Sequence, residues 1–74
     1  MKPIIVSPHA FERIHERKIT RTEVEATIRA SETFLSAKRG RIRVSRKFES
    51  KILDVFYKEI GSAIIFVTAY WRKR

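Results

Sequence analysis

The sequence predicts one α+β domain: a short N-terminal strand, then a helical hairpin packed on one face of a three- to four-stranded antiparallel sheet. Three observations carry this. The chain is 74 residues long, the size of a single small domain. Two adjacent stretches, Pro8 to about Lys18 and Thr20 to about Ala30 or Ser31, combine helix-opening residues with apolar positions three and four apart. From Glu32 onward the pattern changes to β-branched and aromatic runs separated by turn residues. Helices followed by a run of strands make an α+β layer pair. No repeat or linker divides residues 1–74.

Lys2–Val6 is short, apolar and β-branched, an edge strand because Pro3 cannot donate to a ladder. Ser7 is a good N-cap and Pro8 fits the first helical position. Val6 and Phe11 have the spacing of a hydrophobic staple. At 100° per residue, Ala10, Phe11 and Ile14 share a side that must face a core. His9 and Arg13 stack on another side, with Glu16 beside them and Arg17 at the border. Thr20 and Glu23 form a capping box for the second helix, with Ile19 and Val24 at staple spacing. Val24, Thr27 and Ile28 supply its buried stripe. Thr33–Leu35 is a short strand run, and residues 37–40 form a turn in which Gly40 can take positive φ. Arg41–Phe48 alternates, with Ile42, Val44 and Phe48 on one face and Arg41, Arg43, Ser45 and Lys47 on the other; Arg46 interrupts the apolar row. Glu49-Ser50 and Gly61-Ser62 are turns, bounding a strand over Lys51–Lys58. Ala63–Trp71 is the most apolar segment, a central strand covered on both faces. The expected core includes Phe11, Ile14, Val24, Ile28, Val55, Ile65 and Val67.

A domain this small buries only about 60% of its unfolded surface. With no cysteine, disulfides, thiolate metal sites and cysteine nucleophiles are excluded, in keeping with a cytoplasmic protein. No run reaches the roughly 20 apolar residues of a membrane span, and the first apolar run is too short for a signal peptide. The net charge is +9 and unevenly placed. Residues 1–37 hold six Lys/Arg against five Asp/Glu; residues 38–74 hold eleven against three. A fold does not require that asymmetry. It suits a polyanion, with an acidic protein as the competing partner.

Several residues could carry chemistry. His9 lies in a first helical turn, where the helix dipole and Arg13 both favour neutral imidazole, a form suited to general base work. A plain solvent-exposed histidine is the alternative. Arg13 and Arg17 could clasp a phosphate with their guanidinium forks, or form ion pairs, Arg13 with Glu16 or Glu12 and Arg17 with Glu16 or a sheet carboxylate. Lys38, Arg39, Arg41, Arg43, Arg46 and Lys47 place six cations in ten residues. That exceeds what an edge strand needs against aggregation and favours contact with a phosphate backbone. Tyr70 ends a strand and could donate a proton or stack on a base, with Arg72 beside it; Trp71 reads as packing. His15 falls beside Phe11, away from His9, so the two histidines make no metal site. No Gly-rich phosphate cradle, paired-carboxylate site or other cofactor motif is present.

The stretch SPHAFERIHERKI, continued by TRTEVEATI and closed by Val67-Thr68-Ala69-Tyr70, resembles a family of small bacterial and archaeal chains. Its pattern is His-Ala-x-x-Arg, a second Arg four residues on, a short turn, a second acidic helix and a final strand ending near Thr-Ala-Tyr. That family resembles, more distantly, the RelE and BrnT toxins, whose shared fold includes metal-independent ribonucleases. The resemblance implies a RelE-like domain, and together with the residues above it points to a toxin-like endoribonuclease that attacks through the RNA 2′-hydroxyl. In it His9 would be base or acid, Arg13 and Arg17 transition-state stabilisers and Tyr70 a proton donor or stacking group. Lys38, Arg39, Arg41, Arg43, Lys47 and Arg72 would hold the RNA, and an acidic antitoxin-like protein would be a partner. A non-catalytic nucleic-acid-binding module and an adaptor for an acidic protein are the alternatives. The sequence sets no oligomeric state.

Overall fold

The computed structural model describes residues 2–31, 33–36 and 40–73, with 33–36 described by backbone alone. The elements are β1 (Ile4–Ile5), α1 (Pro8–Glu16), α2 (Arg21–Arg29), β2 (Thr33–Ser36), β3 (Ile42–Phe48), β4 (Lys51–Ile60) and β5 (Ala63–Lys73). One sheet holds all five strands in the order β1-β5-β4-β3-β2. Strands β2 to β5 form the expected antiparallel meander, and β1 adds to its far edge parallel to β5. The helices cover one face, α1 over β5 and α2 over β4 and β3. Among the described residues no helix is long and apolar enough to cross a membrane.

Both helices begin where local chemistry starts them. The Ala10 N–H donates to Ser7 Oγ at 3.1 Å. At α2 the capping box is complete: Thr20 N–H donates to Glu23 Oε1 at 2.9 Å, and Glu23 N–H to Thr20 Oγ1 at 3.1 Å. Helix α1 stops at Glu16 rather than Lys18, because Lys18 takes φ 57°. Its N–H bonds His15 O at 3.0 Å and the Ile19 N–H bonds Ile14 O at 2.8 Å. This is the paired closure of a Schellman end, with lysine where glycine is usual. Ile14 and Ile19, the residues such an end brings together, are both buried.

The core is narrower on α1 than the periodicity suggests. Ala10 and Ile14 are buried, but Phe11 is 50% exposed and lies stacked on His15, 6.5 Å away. Phe11 stands about 80° from the centre of the Ala10–Ile14 stripe at 100° per residue, which takes it off the sheet. On β5 a bulge changes which residues face inward. Phe56 pairs with Thr68 and Tyr57 with Phe66, leaving Val67 as the extra residue. A bulge resets the alternation of faces. Ile64 and Phe66 are therefore buried before it and Ala69 after it, while Ile65 and Val67, expected in the core, are half-buried. Val24, Thr27 and Val55 are buried as expected, and Ile28 is half-buried against them.

Candidate nucleic-acid interface

The sheet face away from the helices is built by strand alternation and register. With Val44, Leu53 and Val55 buried toward α1 and α2, their neighbours Arg43, Ser45, Asp54 and Phe56 point the other way. Three rows cross β3, β4 and β5 there: Arg43–Phe56–Thr68, Ser45–Asp54–Tyr70 and Lys47–Ile52–Arg72. Cations and aromatic rings thus alternate over three strands.

Asp54 holds this face together. It is fully buried although no helix covers it, and its carboxylate is satisfied from three directions. Arg72 Nε donates to Oδ2 at 2.8 Å and Arg72 Nη2 to Oδ1 at 3.3 Å. Arg43 Nη2 donates to Oδ2 at 3.2 Å, and Ser45 Oγ to Oδ1 at 2.5 Å. Burial alone would raise the Asp54 pKa; the hydrogen bonds from Arg72 and Ser45 and the charge of Arg43 outweigh it and hold the carboxyl below its ordinary value. Two guanidiniums share one carboxylate, so the cluster keeps an excess positive charge. Arg43 and Arg72 remain 31% and 46% exposed at their side chains, so both present donors to solvent. Arg43 Nε is buried without a partner among the described residues.

The aromatic part is Phe56 and Tyr70. Their rings lie 5.8 Å apart at 33°, and the Arg43 guanidinium sits 5.9 Å from the Phe56 centroid. Tyr70 is 41% exposed, a flat π-surface flanked by arginine. At the edge of β5, Arg17 Nη1 donates to Thr68 Oγ1 at 3.1 Å and to Ala69 O at 2.9 Å. Strand β1 pairs only with Ile64 and Ile65, so the Ala69 carbonyl lies beyond it, and Arg17 takes the place of a strand neighbour.

The structure thus gathers Arg17, Arg43, Tyr70 and Arg72, with Lys47 at the end of the same face. Arg41 is exposed just ahead of β3. Lys38 and Arg39 lie outside the described residues. His9 and Arg13 are exposed on α1 and make no hydrogen bond or ion pair among the described residues. Of the His9–Arg13–Arg17 row, among the described residues, only Arg17 hydrogen-bonds to the sheet. Each four-residue step turns 40° and advances about 6 Å, which carries Arg17 toward the buried stripe and leaves His9 about 12 Å up the axis. The helix-internal pairing of Arg13 and Arg17 with Glu12 and Glu16 does not occur among the described residues.

Sequence reasoning passed over Asp54, Ser45, Phe56 and Thr68. One signal was present: Asp54 is the single aspartate of the chain, set in the apolar run Ile52–Tyr57. Its arginine partners required the strand register. Among the described residues no three His, Asp or Glu side chains gather as metal ligands.

No curated protein and no solved structure matches this chain. A family model does, from Val6 ahead of α1 to Trp71 on β5, and so takes in both helices and nearly all of the arginine–aromatic face. The chain belongs to the DUF4258 family, a domain of unknown function, over residues 6–71.

Proposed function

We propose that the face opposite the helices binds single-stranded RNA. One observation carries this: Arg43, Lys47 and Arg72 interleave with Phe56 and Tyr70 on a single surface of β3, β4 and β5. Arginines meet phosphate oxygens with paired donors, and exposed rings stack on bases that are not already stacked in a duplex. Asp54 fixes two of the arginines before any ligand arrives, which lowers the entropy cost of binding. The excess of cations in residues 38–74 extends the attraction beyond the contacts themselves. The protein then works in the cytoplasm, and an acidic antitoxin-like protein is a natural cover for the same surface.

The test is binding of a labelled RNA oligonucleotide at increasing salt. The logarithm of affinity falls with a slope of about −0.7 per neutralised phosphate. Arg41→Ala and Lys47→Ala flatten it by about one contact each and weaken all sequences alike. A salt-independent interaction, or none at low salt, removes RNA and promotes the acidic protein.

A second reading, metal-independent cleavage, is favoured by the position of Tyr70 between Arg17, held two residues away on Thr68, and Arg72. In it His9, which stands about 12 Å along α1 from Arg17, must close on the strand to take the proton of a 2′-hydroxyl, and that oxygen attacks the adjacent phosphorus. The bond to the 5′-oxygen breaks, and the leaving oxygen takes a proton from Tyr70. Arg13 and Arg17 stabilise the pentacoordinate phosphoryl group, and the products are a 2′,3′-cyclic phosphate and a 5′-hydroxyl. A 2′-deoxy substitution at the scissile nucleotide blocks this route and leaves binding intact.

A further inference from the structure

The helical layer is shorter than the strands beneath it. Nine helical residues rise about 14 Å, whereas the eleven residues of β5 extend about 36 Å. At the far end of the sheet no helix overlies the helix-side face, and a cleft of about 680 Å³ opens there, within the range of small-molecule sites. Its floor is aromatic: Phe48 and Trp71 meet edge to face at 5.9 Å and 88°. Its walls are the α1–α2 turn with the first turn of α2, which bring Arg17, Lys18 and Glu23, and the β3–β4 hairpin, which brings Lys47, Glu49, Ser50 and Lys51. Four cations stand against two carboxylates, and Glu23 is already engaged in capping α2.

Two further observations single out this cleft. The non-glycine residues with positive φ among those described are Lys18 and Glu49, both at 57°, and both line it. Left-handed backbone is unfavourable for such residues, and it concentrates at functional sites. Lys18 and Glu49 stand on opposite walls of the cleft. Lys51 Nζ lies 5.6 Å from the Trp71 ring centroid, so what covers the indole on that side is a cation on a flexible stem. Arg17 and Lys47 also border the RNA face described above, so cleft and face meet around the end of the sheet.

Building on the RNA-binding reading, we infer that this cleft is a pocket for one unstacked nucleobase of the bound single strand. The base lies against Trp71 where Lys51 now rests. Lys51 swings on its flexible stem to the neighbouring phosphate, which Lys18 meets from the opposite wall. A ring stacked on an aromatic side chain accepts any base, so the pocket anchors the strand without reading its sequence.

Trp71 is the single tryptophan of the chain, so its fluorescence reports on this cleft alone. The experiment titrates the full chain with a labelled RNA decanucleotide, following RNA anisotropy and Trp71 emission together. Parallel titrations use an abasic oligomer of equal length, a nucleoside monophosphate and a poly-glutamate peptide. The pocket predicts that the RNA quenches Trp71 as it binds, and that the abasic oligomer binds more weakly without quenching. Lys18→Glu with Lys51→Glu, both exposed positions, lowers RNA affinity at least tenfold and removes the quench. RNA that binds by anisotropy while Trp71 emission stays constant overturns the pocket and leaves the sheet-face reading standing. Equal quenching by the abasic oligomer overturns the base and leaves a phosphate site. Quenching by the monophosphate at the oligomer's concentration makes it a site for free nucleotides, and quenching by poly-glutamate in place of RNA makes it a protein-docking site; either overturns the inference. Absence of RNA binding at low salt overturns both readings together.

Discussion

Replacing Asp54 with asparagine keeps the shape of the side chain and removes its charge. The carboxylate accepts from Arg72, Arg43 and Ser45 and is wholly buried. Breaking a buried ion pair from one side costs about 3–5 kcal/mol when the remaining charge is stranded. Here the stranded groups are arginines, 31% and 46% exposed, that regain much of their hydration. The loss is then set mainly by the charged hydrogen bonds, and about 2–3 kcal/mol is the expected net cost. A domain of this size melts about 4–8 °C lower per kcal/mol, so Asp54→Asn should melt roughly 10–20 °C below wild type at neutral pH. The dependence on pH follows from the lowered carboxyl pKa. A depressed folded-state pKa contributes stability that is fully present above the unfolded value of about 3.9 and is lost as pH falls through the folded one. The gap between wild type and variant should therefore be widest near neutrality and close in acid below the ordinary carboxylate range. Thermal unfolding of both proteins by circular dichroism across that range measures it. Superimposable melting curves at neutral pH, or a gap that persists unchanged in strong acid, would refute the role given to Asp54.

Lys18→Gly relieves a left-handed lysine at the end of α1 and should stabilise the fold by about 0.5–1 kcal/mol after the entropy of the new glycine is charged. The same variant should bind RNA more weakly, and a lower melting temperature would contradict the account of the helix end. If the chain cleaves RNA, His9→Ala should slow single-turnover cleavage about 10²–10⁴-fold, the usual worth of general acid–base catalysis, with little change in binding. Cleavage by that variant at the wild-type rate would take His9 out of the mechanism.

Helix starts, turns and the change from helix to strand were legible because each is settled within a few residues. Ser7 finds the Ala10 N–H and Thr20 finds Glu23 whatever the rest of the chain does, and Gly61 takes its φ of 59° in the turn where a glycine is expected. The concentration of cations in residues 38–74 was legible too, since charge is additive and needs no geometry.

The makeup of the site was settled elsewhere. Arg43, Asp54 and Arg72 lie far apart in sequence and become neighbours through pairings that place Ser45 opposite Asp54 and Asp54 opposite Tyr70. A slip of one residue would turn Asp54 onto the helix side. The bulge that frees Val67 belongs to the same class, for alternation along β5 predicts burial of Ile65 and Val67 until the partner strand shifts the count. Composition and periodicity determined which elements form and how much positive charge they carry. Only the pairing of strands decided that two arginines converge on one buried aspartate and that a tryptophan lies half-buried beyond the helices. Local hydrogen bonds act over one turn of chain, whereas register is chosen by the burial of the whole sheet at once.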